Sequence, residues 1–93
     1  MVRGRERDER EAAAAEATRK RVLRSMRIWG RAAEKHELKG ETGAAESFFD
    51  LIEALREEFP QHAGELATAE RAGRLLARKR LRAQQAKAKA KRV

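Results

Sequence analysis

The sequence predicts an all-α protein: a three-helix bundle or a helical hairpin with a long N-terminal helix and a basic C-terminal tail. Three observations carry that expectation. Apolar residues recur at steps of three and four in three separate segments, and no segment alternates apolar and polar residues with strand period. The strong breakers between those segments fall at two places only, around Gly40 and around Pro60. The 93 residues suffice for one domain with a thin core.

Helical periodicity first holds over about residues 6–38. Ala12, Ala15, Val22, Met26, Trp29 and Ala33 fall on one line, with Arg19 interrupting it and Leu23 and Ile28 broadening it. The first half of this segment is rich in alanine and charge. Residues 1–16 therefore read as a charged helical arm ahead of a three-helix domain at 17–82. Gly40 is placed to cap the first helix in the left-handed conformation, and Thr42 or Gly43 then starts the next.

The second helix, about 43–59, has the clearest amphipathic pattern. Phe48, Leu51, Ile52, Leu55 and Phe59 line one face with Phe49 beside them, while Glu46, Asp50, Glu53, Glu57 and Glu58 fill the other. With Trp29, this apolar face is the expected core or protein interface. Pro60 cannot continue a helix, so residues 60–64 read as a tight connection. The third helix, about 63–86, offers Leu66, Ala69, Gly73 and Leu76, and its small residues Ala69, Ala72 and Gly73 allow another helix close approach.

Residues 83–93 form a basic Ala/Lys tail. The run Lys87-Ala88-Lys89-Ala90-Lys91 is similar in composition to the low-complexity tails of histone-like and ribosomal proteins. Alanine and lysine both favour helix, so such a tail can become helical once its charge is neutralised.

Charge is distributed in blocks. Residues 1–16 hold four arginines against five acids, and residues 17–33 hold six bases and no acid. Residues 34–70 hold three bases against ten acids, and residues 71–93 hold ten bases and no acid. The last block carries more than the whole net charge of +8. A cationic run of that density repels itself, and phosphates relieve the repulsion with release of counterions. Arg71, Arg74, Arg78, Lys79, Arg80, Arg82, Lys87, Lys89, Lys91 and Arg92 are therefore the expected phosphate contacts. Lys20, Arg24, Arg27 and Arg31 follow helical spacing and form a second basic stripe, beside Arg19 and Arg21. That stripe has an alternative use, pairing with the acidic second helix inside the bundle or between subunits.

Two local patterns touch nucleic-acid motifs. Gly40-Glu41-Thr42-Gly43 matches the GxxG loop of KH domains, but it lacks the strands of that fold and reads as helix punctuation. Residues 60–82 can also be read as the turn and second helix of a helix-turn-helix, with Arg71, Arg74, Arg78 and Arg82 lined up for a groove.

Other chemistry is poorly provided for. With no cysteine, disulfides and thiolate metal sites are excluded. The only histidines are His36 and His62, and the position that would complete a zinc helix motif after His36-Glu37 is Gly40. Each histidine is expected at a helix end, facing free carbonyls. The adjacent Glu57 and Glu58 do not face each other, and no serine or threonine has a His and acid set around it. The expectation is no enzyme, no metal, no cofactor and no small-molecule substrate.

No apolar run approaches the roughly 20 residues of a membrane span, and the N-terminus lacks a secretory pattern. The third helix also lacks the bulky apolar residues that insert into lipid. The expected setting is cytoplasmic, without membrane contact. Fewer than twenty large apolar residues leave a lone monomer marginal, which points to an oligomer or a protein partner.

Two functional classes follow. The first is a low-specificity accessory protein binding RNA or DNA through its basic C-terminal third. The second is an adaptor or structural subunit of a larger assembly, such as a phage particle or ribonucleoprotein, docking through the Phe48–Phe59 face.

Overall fold

The computed structural model describes residues 2–91, with side chains from residue 5 onward. It contains three helices, α1 (Val2–Leu38), α2 (Thr42–Glu58) and α3 (Ala63–Lys91), and no strand among the described residues. A 3-10 turn at Pro60–His62 joins α2 to α3. The protein is an all-α bundle with long first and third helices.

The two breaks lie where the sequence puts them. Gly40 has φ 75°, its N–H donates to the Glu37 carbonyl at 3.0 Å, and the Glu41 N–H donates to the His36 carbonyl at 2.9 Å. These bonds satisfy the last carbonyls of α1, and the positive φ is one that glycine adopts without strain. α2 starts at Thr42 with no side-chain cap. Phe59 closes it by donating its N–H to Leu55 at 3.0 Å. Pro60 then opens the 3-10 turn, where its missing N–H costs nothing. α3 runs past the expected end near residue 86 to Lys91, because nothing beyond Gly73 breaks a stretch of Ala, Arg, Lys, Leu and Gln.

α1 packs against both other helices. Partners on α1 and α3 rise together: Arg19 meets Glu65, Gly30 meets Glu70, and Glu34 meets Arg78. The two helices therefore run parallel, with α2 antiparallel to them. Val22, Met26, Ala33, Ile52 and Leu66 form the buried cluster, and Leu23, Trp29, Phe48, Phe49, Leu55, Phe59 and Ala69 pack against it. Leu51 departs from the expected apolar face. It lies one residue, or 100°, round the helix from buried Ile52 and is 44% exposed.

The α1–α3 contact is backbone to backbone. A Cβ placed on Gly73 would stand 2.0 Å from the Arg27 carbonyl oxygen, and one on Gly30 would stand 2.6 Å from that of Glu70. Of the three small residues expected to admit a neighbour, Gly73 sits at the crossing, Ala69 is half-buried beside it and Ala72 is exposed.

Extents of 73 × 26 × 17 Å and a radius of gyration of 18.4 Å describe an elongated molecule. A compact chain of this length would have a radius near 12 Å, by the scaling about 2.2·N^0.38. The excess comes from two projecting helix ends, since residues 5–17 of α1 and 82–91 of α3 are exposed throughout. Parallel, offset helices place these arms at opposite ends of the bundle.

Candidate nucleic-acid interface

The bases expected to contact phosphate divide into two sets. The first faces α2 and the seam of the bundle. The Arg74 Nε donates to Glu34 at 3.0 Å and the Arg78 Nε donates to the other oxygen of the same carboxylate at 2.5 Å. Arg74 also lies 3.5 Å from Glu37, 3.9 Å from Glu70 and 5.3 Å above the Phe49 ring. Arg56 completes the group by pairing with Glu70. The face read as a helix-turn-helix arginine stripe is thus partly committed to holding the bundle. Arg71 and Arg82 on it are exposed and unpaired among the described residues.

Glu34 is the centre of this cluster, with a side chain only 4% exposed. Burial pushes its carboxyl up, but hydrogen bonds from Arg78 and Arg74, with their charge, outweigh burial and hold it below the usual carboxylate value. A folded-state value below the unfolded one contributes stability that is complete above the unfolded value, about 4.3, and is lost as pH falls through the folded value. Glu34→Gln should therefore lose less of its stability than wild type between about pH 5 and pH 3. Urea midpoints of the two proteins across that range provide the check.

The second set lies on the other side of the α1–α3 seam, away from α2. Lys20, Arg24, Arg27 and Arg31 run along α1, with Lys35 continuing the stripe one turn further. None of these five forms an ion pair among the described residues, so the stripe does not pair with α2 inside the bundle. At its end Arg31 and Lys35 converge with Arg80, Ala77 and Gln84 around a 120 Å³ cleft with no acid in its wall. From there Arg80, Gln84, Lys87 and Lys91 continue along α3 at steps of four, three and four. Two basic runs that are 45 residues apart in sequence at Lys35 and Arg80 thus meet in space.

The resulting cationic track spans about 22 Å along α1 and a further 16 Å or so along α3, at about 1.5 Å per residue. Beside its first half lies an open 790 Å³ groove lined by Leu23, Arg24, Arg27, Gly64, Glu65, Thr68, Ala69 and Ala72. Glu65, the acid in that lining, is bound by Arg19. Arg19 also holds Glu16 at 2.6 Å, and its hydrogen bond keeps that carboxyl below the ordinary range. Lys79 and Lys89 are exposed elsewhere on α3, and Arg92 lies outside the described residues.

Lys35 and the Arg80–Gln84–Lys87–Lys91 line extend the interface beyond the stripes first drawn from the sequence. The signal was present in both cases, as a continued four-residue step from Arg31 and a repeat of the 4-3-4 spacing. The acidic neighbours of Lys35 in sequence hide the first, and the Arg71–Arg82 series hides the second.

The histidines stand at helix ends but do not face free carbonyls. His36 stacks on Phe48 with ring centroids 5.6 Å apart, and its Nδ1 lies 3.5 Å from a Glu41 oxygen. His62 stacks on Phe59 at 6.5 Å and lies 3.6 Å from Glu65. No helix among the described residues is long and apolar enough to cross a membrane. Comparison of the chain with protein-family models, with curated proteins and with solved structures yields no match.

Proposed function

We propose that this chain is a non-catalytic, low-specificity nucleic-acid-binding accessory protein of the cytoplasm. It grips phosphates along the α1–α3 track and the basic end of α3. The observation that supports this reading is the convergence of Arg31, Lys35 and Arg80 on an acid-free cleft joining two basic runs. Five cations on α1 and three on α3, unpaired among the described residues, then follow one line of about 40 Å. One turn of duplex is about 34–36 Å long, so a straight track of this length laid along the duplex meets the phosphates that cross one face over about one turn. Trp29 and the phenylalanines pack on the core, which leaves phosphate contact rather than base stacking to supply the affinity.

Fluorescence anisotropy with generic duplex DNA and generic RNA, titrated from low to high salt, tests the proposal. A log–log slope between about −4 and −7 is expected from several neutralised phosphates. Ending the chain at Arg82 should weaken binding and flatten the slope. Arg80→Glu should flatten it by at least about one contact. No binding of either nucleic acid at low salt would reject the proposal.

A further inference from the structure

One surface shares only its basic edge with the cationic track. On the outer face shared by α1 and α2, Ile28 is 57% exposed and Leu51 is 44% exposed. At 100° per residue the order across this face is fixed. Arg31 and Lys35 stand at the outer edge of α1, followed by Ile28 and Ala32, then His36 and Phe48 where the helices meet. Leu51 and Ala54 come next, with Glu58 between them in angle at the end of α2, and Asp50 stands at the outer edge of α2. A 270 Å³ dent lined by Ile28, Arg31, Ala32, Lys35 and His36 opens on the α1 side. The face is thus a basic edge, an apolar strip with a hole and a knob, and an acidic edge.

We propose that this face is the interface of a homodimer, in which Leu51 of each copy enters the dent between Ile28, Ala32 and His36 of the other. A two-fold axis parallel to the helices lays the α1 of one copy over the α2 of the second without shifting heights. His36 stacks on Phe48, so equal rise along antiparallel helices brings Leu51 level with about residue 33, the middle of the dent. By the same relation Asp50 stands level with about residue 34. Lys35 then faces Asp50, twice over by symmetry. Neither side chain has an ion partner within the bundle among the described residues.

The opposite pairing, with the second copy inverted, sets the edges against each other with like charges opposed. The charged edges therefore select register and orientation, while the apolar strip supplies the affinity. α2 is about 25 Å long and two adjacent helices are about 20 Å wide, so roughly 1,000 Å² is buried in total. That is the lower limit of specific interfaces and makes the dimer reversible and concentration-dependent. Arg31 and Lys35 also belong to the cationic track, so a polyanion competes for them. The inference does not rest on nucleic-acid binding, and self-association is measured on protein freed of nucleic acid.

Sedimentation velocity over a concentration series tests the dimer, with circular dichroism as the check on folding. Wild type should show a monomer–dimer equilibrium. Leu51→Lys should weaken it at least about tenfold by placing an ammonium in the dent beside Arg31 and Lys35. The reversals Lys35→Glu and Asp50→Lys should each weaken it, because each puts like charges on both edges. An equimolar mixture of the two reversed proteins should dimerise as wild type does, since every edge then meets its opposite. A wild-type protein that stays monomeric at the highest concentration overturns the proposal. So does a dimer indifferent to Leu51→Lys, or a mixture that fails to restore association.

Discussion

Gly73→Ala is expected to be the most damaging single-methyl substitution in the bundle, lowering the melting temperature by about 10–20 °C. The new Cβ would stand 2.0 Å from the Arg27 carbonyl oxygen and 2.9 Å from the Arg31 nitrogen. Carbon and carbonyl oxygen rest at about 3.3–3.6 Å, so α1 and α3 must separate by more than an ångström or so. The obstructing atoms are helical backbone and cannot swing aside as a side-chain end can. Separation also loosens contacts around Met26 and Leu66, which are fully buried beside this seam. Alanine gains up to about 1 kcal/mol in helix propensity over glycine. Overpacking costs about 1–3 kcal/mol and occasionally more, and the backbone obstruction puts this site at the upper end or beyond it. The net loss should be about 2 kcal/mol or more against a total of about 5–14 kcal/mol for a chain this long. Gly64→Ala is the control. Nothing lies within 4 Å of its Cβ, so thermal melts should show it neutral or slightly stabilised.

Removing both arginines from Glu34 should cost more than removing Glu34 itself. Arg74 and Arg78 are 35% and 53% exposed and can turn to water, whereas the Glu34 carboxylate is 4% exposed and cannot. Arg74→Met with Arg78→Met therefore leaves a buried carboxylate that must protonate or drag water into the core. Protonating a carboxyl of ordinary pKa at pH 7 costs about 4 kcal/mol, which caps the loss near the 3–5 kcal/mol typical of a broken buried pair. Adding Glu34→Met to the double variant should restore most of the stability, because no charge then remains inside. The penalty should also shrink as pH falls toward 5, where protonation becomes cheaper. Denaturant unfolding of the double and triple variants at pH 7 and pH 5 distinguishes this from a simple loss of packing, which would leave the triple variant the worst.

These two results bear on function as well as stability. Arg74 and Arg78 sit in the densest basic block of the chain, yet their geometry ties α3 to α1. Substituting them would weaken the proposed nucleic-acid binding through unfolding as readily as through lost phosphate contacts. Lys20, Arg24, Arg80 and Lys87, exposed and unpaired among the described residues, are the positions where the proposed binding can be tested with the bundle intact.

The amino-acid sequence by itself determined the helices, their two breaks and the polarity of α2. Each is written in local chemistry: three-and-four periodicity, a glycine able to take positive φ, a proline without an N–H, and a face carrying Phe48, Ile52, Leu55 and Phe59. It also showed where positive charge is concentrated. Only the tertiary structure decided which of those charges remain available. Arg74 and Lys35 differ little in composition or spacing, but one turns toward buried Glu34 and the other toward a cleft shared with Arg80. The difference lies in the parallel crossing of α1 and α3 at Gly30 and Gly73, which aligns Glu34 with Arg74 and Arg78 across 40 residues and more. Gly30 carries no local mark of that role beyond the cost of a glycine in mid-helix, and Leu51 no local mark of its exposure. Such assignments depend on which helix lies opposite, a long-range relation that no spacing within one segment can encode.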